Sequence, residues 1–398
     1  MRYVTPRTIR EFRLPDWASR KHEIHSRAAL RIRSLFVASV FFIVAGYVVS
    51  SPSRAPQWRT PQAGWLYVLD HGDALGGPAR VLLVDPNKGR VMGSLDVGDA
   101  PEMALSPDGK RLYVAGVLDQ GDFLTVIDTA TGSALQSVPL RDRWQYTGMP
   151  EAPTMTVSTD GRWLYVLKLH IIPKARDEYT IGTFDTLGSV FQAAELPVPD
   201  CVAGSLLPSS GGEGVQVFCS GTNDVRFLFS GNRDHRVLPL PAISSETGPW
   251  AKIKIGVRAP NGNTLAVMGD GRILEIDPES TKVVRVLNDR LNGSWVPSRE
   301  VPRSPDAKIL YIGIGRLSER STGMADRILA IDTKTGRQLG SIKTSHPFWS
   351  LTISGDGRHL YAVGSEYKDL LILDTARYEE IRDVSGIGLN PARAVVVP

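Results

Sequence analysis

A unit of two β-hairpins recurs along most of the chain, and this repeat restricts the possible folds more than any other feature. Each clear copy has an alternating apolar run, a Ser-x-Asp-Gly-Lys/Arg turn, and a second run that contains Leu-Tyr. Period-two alternation indicates β-strands, and Asp-Gly pairs indicate tight turns. The clearest copies are PEMALSPDGKRLYVAG from 101, APTMTVSTDGRWLYVLK from 152 and FWSLTISGDGRHLYAVG from 348.

A second hairpin follows each of these pairs, as in FLTVIDTATGSAL from 123 and RILAIDTKTGRQL from 327. Each unit is therefore predicted to be a four-stranded antiparallel sheet. The units recur every 45 to 55 residues, roughly the length of a β-propeller blade. The second strands of the seven units begin at residues 65, 111, 163, 215, 264, 309 and 359.

The first unit lacks an inner strand, because the preceding segment runs directly into the second strand at 65. The final stretch NPARAVVVP, residues 390–398, matches only an inner strand. The C-terminus is therefore predicted to complete the first blade and close the ring, which removes an open sheet edge. The expected fold is an all-β, seven-bladed β-propeller over residues 65–398.

The N-terminal region differs in composition from this body. Residues 1–34 hold nine Lys/Arg and three acidic residues, a charge of +6 in a chain of +4, so the remainder is at −2. Nucleic acid is therefore not an expected partner. The apolar stretch 35–50 carries no charge, and basic residues before it predict a single-pass inner-membrane anchor with a cytoplasmic N-terminus and a periplasmic propeller. A cleaved signal peptide is the alternative. Residues 51–64 then form a linker.

The chain has two cysteines, Cys201 and Cys219, with the Gly- and Ser-rich stretch 209–214 between them. Folding a hairpin about that stretch places them opposite each other on the first two strands of the fourth blade, within disulfide reach. An exported compartment would oxidise them. A redox or metal centre would require Cys-x-x-Cys spacing or neighbouring histidines, so the prediction is a structural disulfide.

Motifs for catalysis are not found: the sequence has no Cys-x-x-Cys-His, no Gly-x-Ser-x-Gly elbow and no phosphate loop. We therefore predict no catalytic residue, no cofactor and no metal on this chain. The repeated Asp108, Asp160 and Asp356 are interpreted as turn residues, because Asp-Gly turns require them. A metal site made by loop histidines is the alternative, and these are His71, His170 and His346.

The longest loops share one face of the predicted ring, because they join second to third strands and fourth strands to the next blade. They concentrate aromatic and basic residues, which favour protein interfaces. We predict a partner- or ligand-binding rim there, although two of its tryptophans, at 295 and 349, could instead fill gaps between blades. The predicted rim residues are Asp99, Trp144, Tyr146, His170, Lys174, Arg176, Trp250, Trp295, Arg316, Arg320, His346, Phe348 and Trp349.

The repeat resembles the YVTN-type propeller repeat, and four stretches carry a more specific resemblance. These are GRVMGSLDVGDAPEMALSPDG from 89, LPVPDCVAGSLLPSSGGEGVQVFC from 196, GSWVPSREVPRSPDAKILYIGIGRLSERSTGMADRILAIDTKTGRQLGSI from 293, and HPFWSLTISGDGRHLYAVG from 346. In order over residues 65–398, they resemble the heavy subunit of methylamine and aromatic amine dehydrogenases. The resemblance implies a periplasmic propeller that holds no cofactor and binds a small light subunit, whose tryptophan-derived quinone oxidises the amine.

Two positions differ from that family. Asp99 stands where its members carry an aromatic residue near the amine channel, and GVLDQGDF at 116–123 is shorter than their basic loop. One hypothesis is a heavy-subunit-like protein, at most a cofactor-free subunit of an amine-dehydrogenase-like oxidoreductase. A second is a non-catalytic propeller subunit or scaffold, docked in a membrane or cell-envelope complex. A propeller hydrolase is a third, for which no acid–base set converges.

Overall fold

All seven predicted second strands are β-strands in the computed structural model, each within an antiparallel set of four. The predicted seven-bladed propeller is therefore confirmed. The structure describes residues 57–72, 78–118, 121–140, 154–170, 178–199, 201, 204–209, 214–220, 222–229, 235–240, 252–288, 294–295, 300–316, 324–364 and 368–398.

Blades 1 and 2 share one long strand, β3, whose first part ends blade 1 and whose last part begins blade 2. The other strands of blade 1 are β1 (Leu66–Asp70), β2 (Ala79–Asp85) and the C-terminal β27 (Pro391–Val396). The shared strand and the rest of blade 2 are β3 (Arg90–Leu105), β4 (Arg111–Leu118), β5 (Gly121–Asp128) and β6 (Ala134–Pro139).

Blades 3, 4 and 5 each use four consecutive strands. Blade 3 consists of β7 (Met155–Val157), β8 (Trp163–His170), β9 (Glu178–Asp185) and β10 (Phe191–Pro197). Blade 4 consists of β11 (Gly204–Pro208), β12 (Gly214–Cys219), β13 (Asp224–Phe229) and β14 (His235–Pro239). Blade 5 consists of β15 (Ile253–Arg258), β16 (Thr264–Met268), β17 (Ile273–Asp277) and β18 (Lys282–Val286).

Blades 6 and 7 complete the ring. Blade 6 consists of β19 (Ser294–Trp295), β20 (Ile309–Arg316), β21 (Ala325–Asp332) and β22 (Gln338–Phe348). Blade 7 consists of β23 (Ser350–Ile353), β24 (His359–Gly364), β25 (Asp369–Asp374) and β26 (Glu379–Ser385). The inner strand of blade 6 is short, and an isolated bridge between Arg303 and Leu310 extends its pairing.

The C-terminal strand closes the ring as predicted. β27 pairs with β1 in antiparallel register, with Val396 opposite Leu66 and Pro391 opposite Asp70. The side chain of Asp70 is fully buried and accepts hydrogen bonds from the backbone N–H groups of Leu389 and Asn390 at 3.0 and 2.5 Å. Blade 1 therefore contains both ends of the propeller sequence.

Apolar side chains fill each of the seven contacts between neighbouring blades. Both faces of a blade are thus covered, so the middle strands are mostly buried, and β1 and β12 are buried at every position. The outer strand β10 instead alternates between exposed and half-buried residues. This explains why second strands such as WLYVLD read as continuous apolar runs.

The two ends of the ring differ in their connections. Within each blade, the connections from the first to the second strand and from the third to the fourth strand lie at one end of the ring, which we call the turn end. We call the opposite end the rim end. At the turn end, the Ser106 hydroxyl donates to Asp108 Oδ1 at 2.7 Å and accepts a hydrogen bond from the Arg111 N–H at 2.9 Å. Gly109, with φ of +70°, completes the turn in a conformation that glycine adopts without strain. The same contacts recur at Ser158, Ser304 and Ser354.

The predicted cytoplasmic tail and membrane anchor, residues 1–34 and 35–50, lie outside the described residues. Within the part of the chain that is described, no helix is long and apolar enough to cross a membrane. The later part of the predicted linker, residues 57–64, is held against the propeller by Trp58. Its indole stacks on Tyr67, with ring centroids 6.0 Å apart, and its Nε1–H donates to the Thr129 carbonyl at 3.0 Å.

Candidate functional rim and central channel

The rim-end prediction rests partly on residues that the structure describes. The backbones of four predicted rim residues lie at rim-end strand positions: Asp99 in β3, His170 in β8, Trp295 in β19 and Arg316 in β20. Ser294 pairs with Arg316, and Trp295 pairs with Gly315. The remaining basic and aromatic candidates lie outside the described residues, and they are Trp144, Tyr146, Lys174, Arg176, Trp250 and Arg320.

Three predicted rim residues have described side chains, and they differ in exposure. Phe348 is fully buried in the apolar cluster between blades 6 and 7. It therefore packs the blades together and does not offer a surface to a partner. Trp349 is half-buried, and its backbone N–H donates to the Val363 carbonyl at 2.9 Å. His346 is half-buried and faces two carboxylates.

The His346 imidazole lies between two aspartates from blade 7. Its Nδ1 is 3.0 Å from Asp369 Oδ2 and 3.3 Å from Asp383 Oδ2. Asp369 begins β25 and is almost fully buried, whereas a third of the Asp383 side chain is exposed. Burial and the neighbouring charge of Asp383 raise the pKa of Asp369, and His346 opposes that shift. Asp369 is thus the least solvated of the three groups, and its carboxylate depends on the groups beside it for stabilisation.

This cluster differs from the histidine gathering considered as the alternative metal site. The described contacts of His346 are with aspartates. His71 is placed by its backbone, whose N–H donates to the Asn390 carbonyl at 3.0 Å. The sequence carried one sign of this cluster. Asp369 stands at the start of a third strand, at the position where three other blades carry Arg80, Arg272 and Arg327.

A central channel runs between the inner strands. One cavity there, of about 450 Å³, is lined by inner strands of blades 3, 4, 5, 7 and 1 and by residues 300–303 of blade 6. Another, of about 370 Å³, lies against blades 1, 2 and 3 near Ser106 and Pro398. In the first of these cavities, burial and the nearby charge of Arg303 lower the pKa of Arg258.

Arg393 on the closing strand links three blades across this channel. Its guanidinium contacts the Glu102 carboxylate of blade 2, donates to the Met103 carbonyl at 2.6 Å, and lies 3.2 Å from Glu300 of blade 6. Burial lowers the pKa of Arg393 to about 10, so it remains charged at neutral pH. The Arg258 guanidinium likewise donates a hydrogen bond to the Pro208 carbonyl at 2.5 Å. These contacts hold the blades together, and they leave the basic groups little freedom to act in chemistry.

The disulfide is confirmed, but the predicted register of its hairpin was wrong. Cys201 and Cys219 are bonded, with their Cα atoms 4.8 Å apart. Cys219 ends β12, where its strand partner is Gly204. Cys201 therefore precedes β11 by three residues and reaches its partner from outside the ladder. Both cysteines are fully buried between blades 3 and 4, which is typical of a structural disulfide.

The two differences from the resembled family lie close together at the rim end. Asp99 in β3 is opposite Val117 in β4. Two residues alone separate β4 from β5, whose ends pair as Leu118 with Gly121. A two-residue connection leaves no room for the longer basic loop of that family.

Comparison with known proteins agrees with the sequence resemblance. The family model of the methylamine dehydrogenase heavy chain matches residues 305–397. The chain is 22% identical to the methylamine dehydrogenase heavy chain of Methylophilus methylotrophus over 344 residues, which covers 82% of each protein. It is 23% identical to that of Paracoccus versutus over 361 residues, 83% of this chain and 79% of the relative. The resemblance to the methylamine dehydrogenase heavy chain is thereby confirmed.

One solved structure shows the same fold at a greater distance. It is the Kuenenia stuttgartiensis hydrazine synthase, with a TM-score of 0.54 and 17% sequence identity, and the match covers 73% of this chain and 88% of that one. This likeness is one of architecture, because a propeller supports many unrelated functions.

Proposed function

We propose that this protein is a heavy-chain-like propeller subunit that binds a partner protein at its rim end. The observation that carries this proposal is the extent of the match, which covers 82% of both this chain and its Methylophilus relative. The whole propeller, not one blade, corresponds to a protein named as a heavy chain. A heavy chain is by name one subunit of an assembly, so the retained body is expected to bind a second chain.

The difference between the two ends of the ring supports the rim end as the binding surface. At the turn end, short hydrogen-bonded turns such as Ser106–Arg111 occupy the backbone groups. The rim end carries the longest loops of the sequence, with their aromatic and basic residues. Loops held by a rigid framework commonly carry binding function, and Trp, Tyr and Arg contribute most to protein interfaces.

In the resembled family the quinone belongs to the light subunit, so this chain would supply a docking surface and no redox group. A second candidate is a non-catalytic subunit or scaffold of a membrane or cell-envelope complex. The two-residue connection between β4 and β5 favours it, together with Asp99 opposite Val117. A heavy chain altered at both positions need not retain the original light subunit.

We further propose that residues 35–50 anchor the protein in the inner membrane, with the propeller in the periplasm. The buried Cys201–Cys219 disulfide supports an oxidising compartment. Because Trp58 attaches to Thr129, which follows β5 at the turn end, the chain enters the propeller from that end.

Affinity purification of the full-length, tagged protein from detergent-solubilised membranes tests the partner proposal. A rim variant carrying Lys174→Glu, Arg176→Glu and Arg320→Glu is compared with a turn-end variant carrying Lys334→Glu and Arg377→Glu. We expect a stoichiometric partner with the native protein and the turn-end variant, and at least a tenfold loss with the rim variant. Absence of any stoichiometric partner, or equal retention by both variants, would contradict rim-end binding.

The absorption spectrum of the purified complex distinguishes the two candidate functions. A quinone chromophore on the partner supports the amine-dehydrogenase-like subunit, whereas a colourless stoichiometric complex supports the scaffold. Alkaline extraction of the same membranes tests the anchor separately. We expect the full-length protein to stay in the pellet, and a form in which a cleavable signal peptide replaces residues 1–50 to be released.

A further inference from the structure

We propose that His346, Asp369 and Asp383 form a binding site for a divalent transition-metal ion at the rim end, between blades 6 and 7. The three residues come from different strands: β22, β25 and β26. One ligand atom from each lies within 4.8 Å of the other two. The proposal is independent of the partner-binding function, because it rests on these three side chains alone.

The spacing of the ligand atoms fits a metal ion. Zinc binds imidazole nitrogen and carboxylate oxygen at about 2.1 Å, which in a tetrahedral arrangement places neighbouring ligand atoms about 3.4 Å apart. His346 Nδ1 lies 3.0 and 3.3 Å from the two aspartate oxygens. The His346 and Asp383 side chains are each one-third exposed, so both have room to rotate toward an ion beside Asp369.

The burial of Asp369 is the second observation that points to a cation. Its side chain is 7% exposed, and its Oδ1 receives no hydrogen bond in the structure. Two carboxylates at one site repel each other unless a cation compensates them, and a buried carboxylate is costly without such compensation. A divalent ion would neutralise both charges and would give Asp369 Oδ1 a partner through bidentate binding.

The ligand types select the class of metal. Calcium and magnesium prefer sites made of oxygen ligands, six or more for calcium and a near-ideal octahedron for magnesium. An imidazole nitrogen with two carboxylates instead suits zinc or a neighbouring first-row ion. A third of the His346 and Asp383 side chains is exposed, so a fourth coordination position would face solvent at the rim end.

A bound ion would join blade 6 to blade 7 at the point where the chain passes between them. His346 lies two residues before the end of β22, and β23 of blade 7 begins at Ser350. The ion would thereby fix the crossing segment against the third and fourth strands of blade 7. We accordingly expect metal binding to raise the thermal stability of the propeller.

Zinc titration of the EDTA-treated protein tests this site, with His346→Ala and Asp383→Asn as site variants. His359→Ala is the matched control, because this histidine lies in blade 7, which supplies both aspartates, but at the turn end. We expect the native protein and the control to bind one zinc ion more than either site variant, or to bind it at least tenfold more tightly. Zinc should raise the Tm of the native protein and the control, and this shift should be lost in both site variants.

Cobalt spectroscopy gives a second readout that does not depend on stability. Co²⁺ bound by nitrogen and oxygen ligands absorbs in the visible range, and we expect a band that His346→Ala removes while its far-UV circular dichroism stays native. Equal zinc stoichiometry and affinity in the native and His346→Ala proteins would overturn the proposal. So would a native protein that binds no zinc, since His346 would then serve only to contact the two aspartates.

Discussion

The two ends of the propeller are stabilised in different ways. At the turn end, four copies of one turn repeat the same contacts, with serine Oγ to aspartate Oδ1 distances of 2.5 to 2.7 Å. Toward the rim end, three of the contacts that the structure describes each occur once. They are the contact of Arg393 with Glu102 and the bonds of Asp70 to residues 389 and 390, which join residues about 300 positions apart, and the Cys201–Cys219 disulfide.

This difference separates the tasks of the two ends. The turns at the turn end are specified by short local sequence patterns, so each blade can form them without contacts to its neighbours. The rim end carries loops that follow no repeat, so long-range contacts near their bases must hold the blades while the loops vary. A binding surface can therefore change there without loss of the fold, which is typical of function placed on loops.

Replacement of Arg393 should produce the largest loss of stability. We expect Arg393→Met to lower the free energy of unfolding by about 3–5 kcal/mol, because it leaves the buried Glu102 carboxylate without its cation. Arg358→Met, at an exposed turn-end position, should change it by about 0.5 kcal/mol or less. Urea unfolding measures both. Equal losses would show that the two ends are stabilised alike.

Removal of the disulfide should have the next largest effect. The double variant Cys201→Ser with Cys219→Ser is expected to lose about 3 kcal/mol, because the bond closes a loop of this length in the unfolded chain. The variant should unfold identically with and without dithiothreitol, whereas the native protein should become less stable when it is reduced. No change on reduction of the native protein would contradict a stabilising role.

Detachment of the linker from the turn end should have a smaller effect. Trp58→Ala removes the stacking on Tyr67 and the hydrogen bond to Thr129, and we expect a loss of about 1 kcal/mol. Trypsin should cleave after Arg59 several times faster in this variant, while Gln57→Ala should behave like the native protein. An unchanged cleavage rate would show that Trp58 does not hold the linker.

The smallest effect is expected from a single turn, measured by acid unfolding. Hydrogen bonds from Ser304 and Lys308 lower the pKa of Asp306 from 3.8 to about 2. Since the folded pKa is the lower one, this turn stabilises the protein above about pH 3.8 and loses that contribution as the pH falls toward 2. Ser304→Ala should move acid unfolding slightly to higher pH. Ser137→Ala, exposed on β6, should leave it unchanged.

The sequence predicted the repeated part of the fold well, because its causes are local. The Ser-x-Asp-Gly turns and the apolar second strands specify each hairpin, and NPARAVVVP specifies the closing strand by its resemblance to an inner strand. The hairpin register at Cys219 was wrong because the segment 209–214 carries none of the Ser-x-Asp-Gly positions that fix the other turns. Cys201 could still form the disulfide from outside β11.

The candidate site was less accessible to sequence reasoning, since it depends on contacts between blades. Phe348 is near other aromatic residues in the rim sequence, yet the start of blade 7 buries it completely. The approach of His346 to Asp383 requires the end of blade 6 to lie against the outer strand of blade 7. No spacing in the sequence shows that approach. The unusual Asp369 at the start of a third strand was the one local sign.

The pairing of β27 with β1 also sets the order of events during synthesis. Leu66 is opposite Val396, so 330 positions separate partners in the same sheet (396 minus 66). A chain made from its N-terminus completes β1 early and β27 last. Until β27 has been made, β1 keeps an open edge and Glu102 lacks Arg393. Blades 2 to 7 can form while the chain grows, but the ring becomes one closed unit only after β27 pairs with β1.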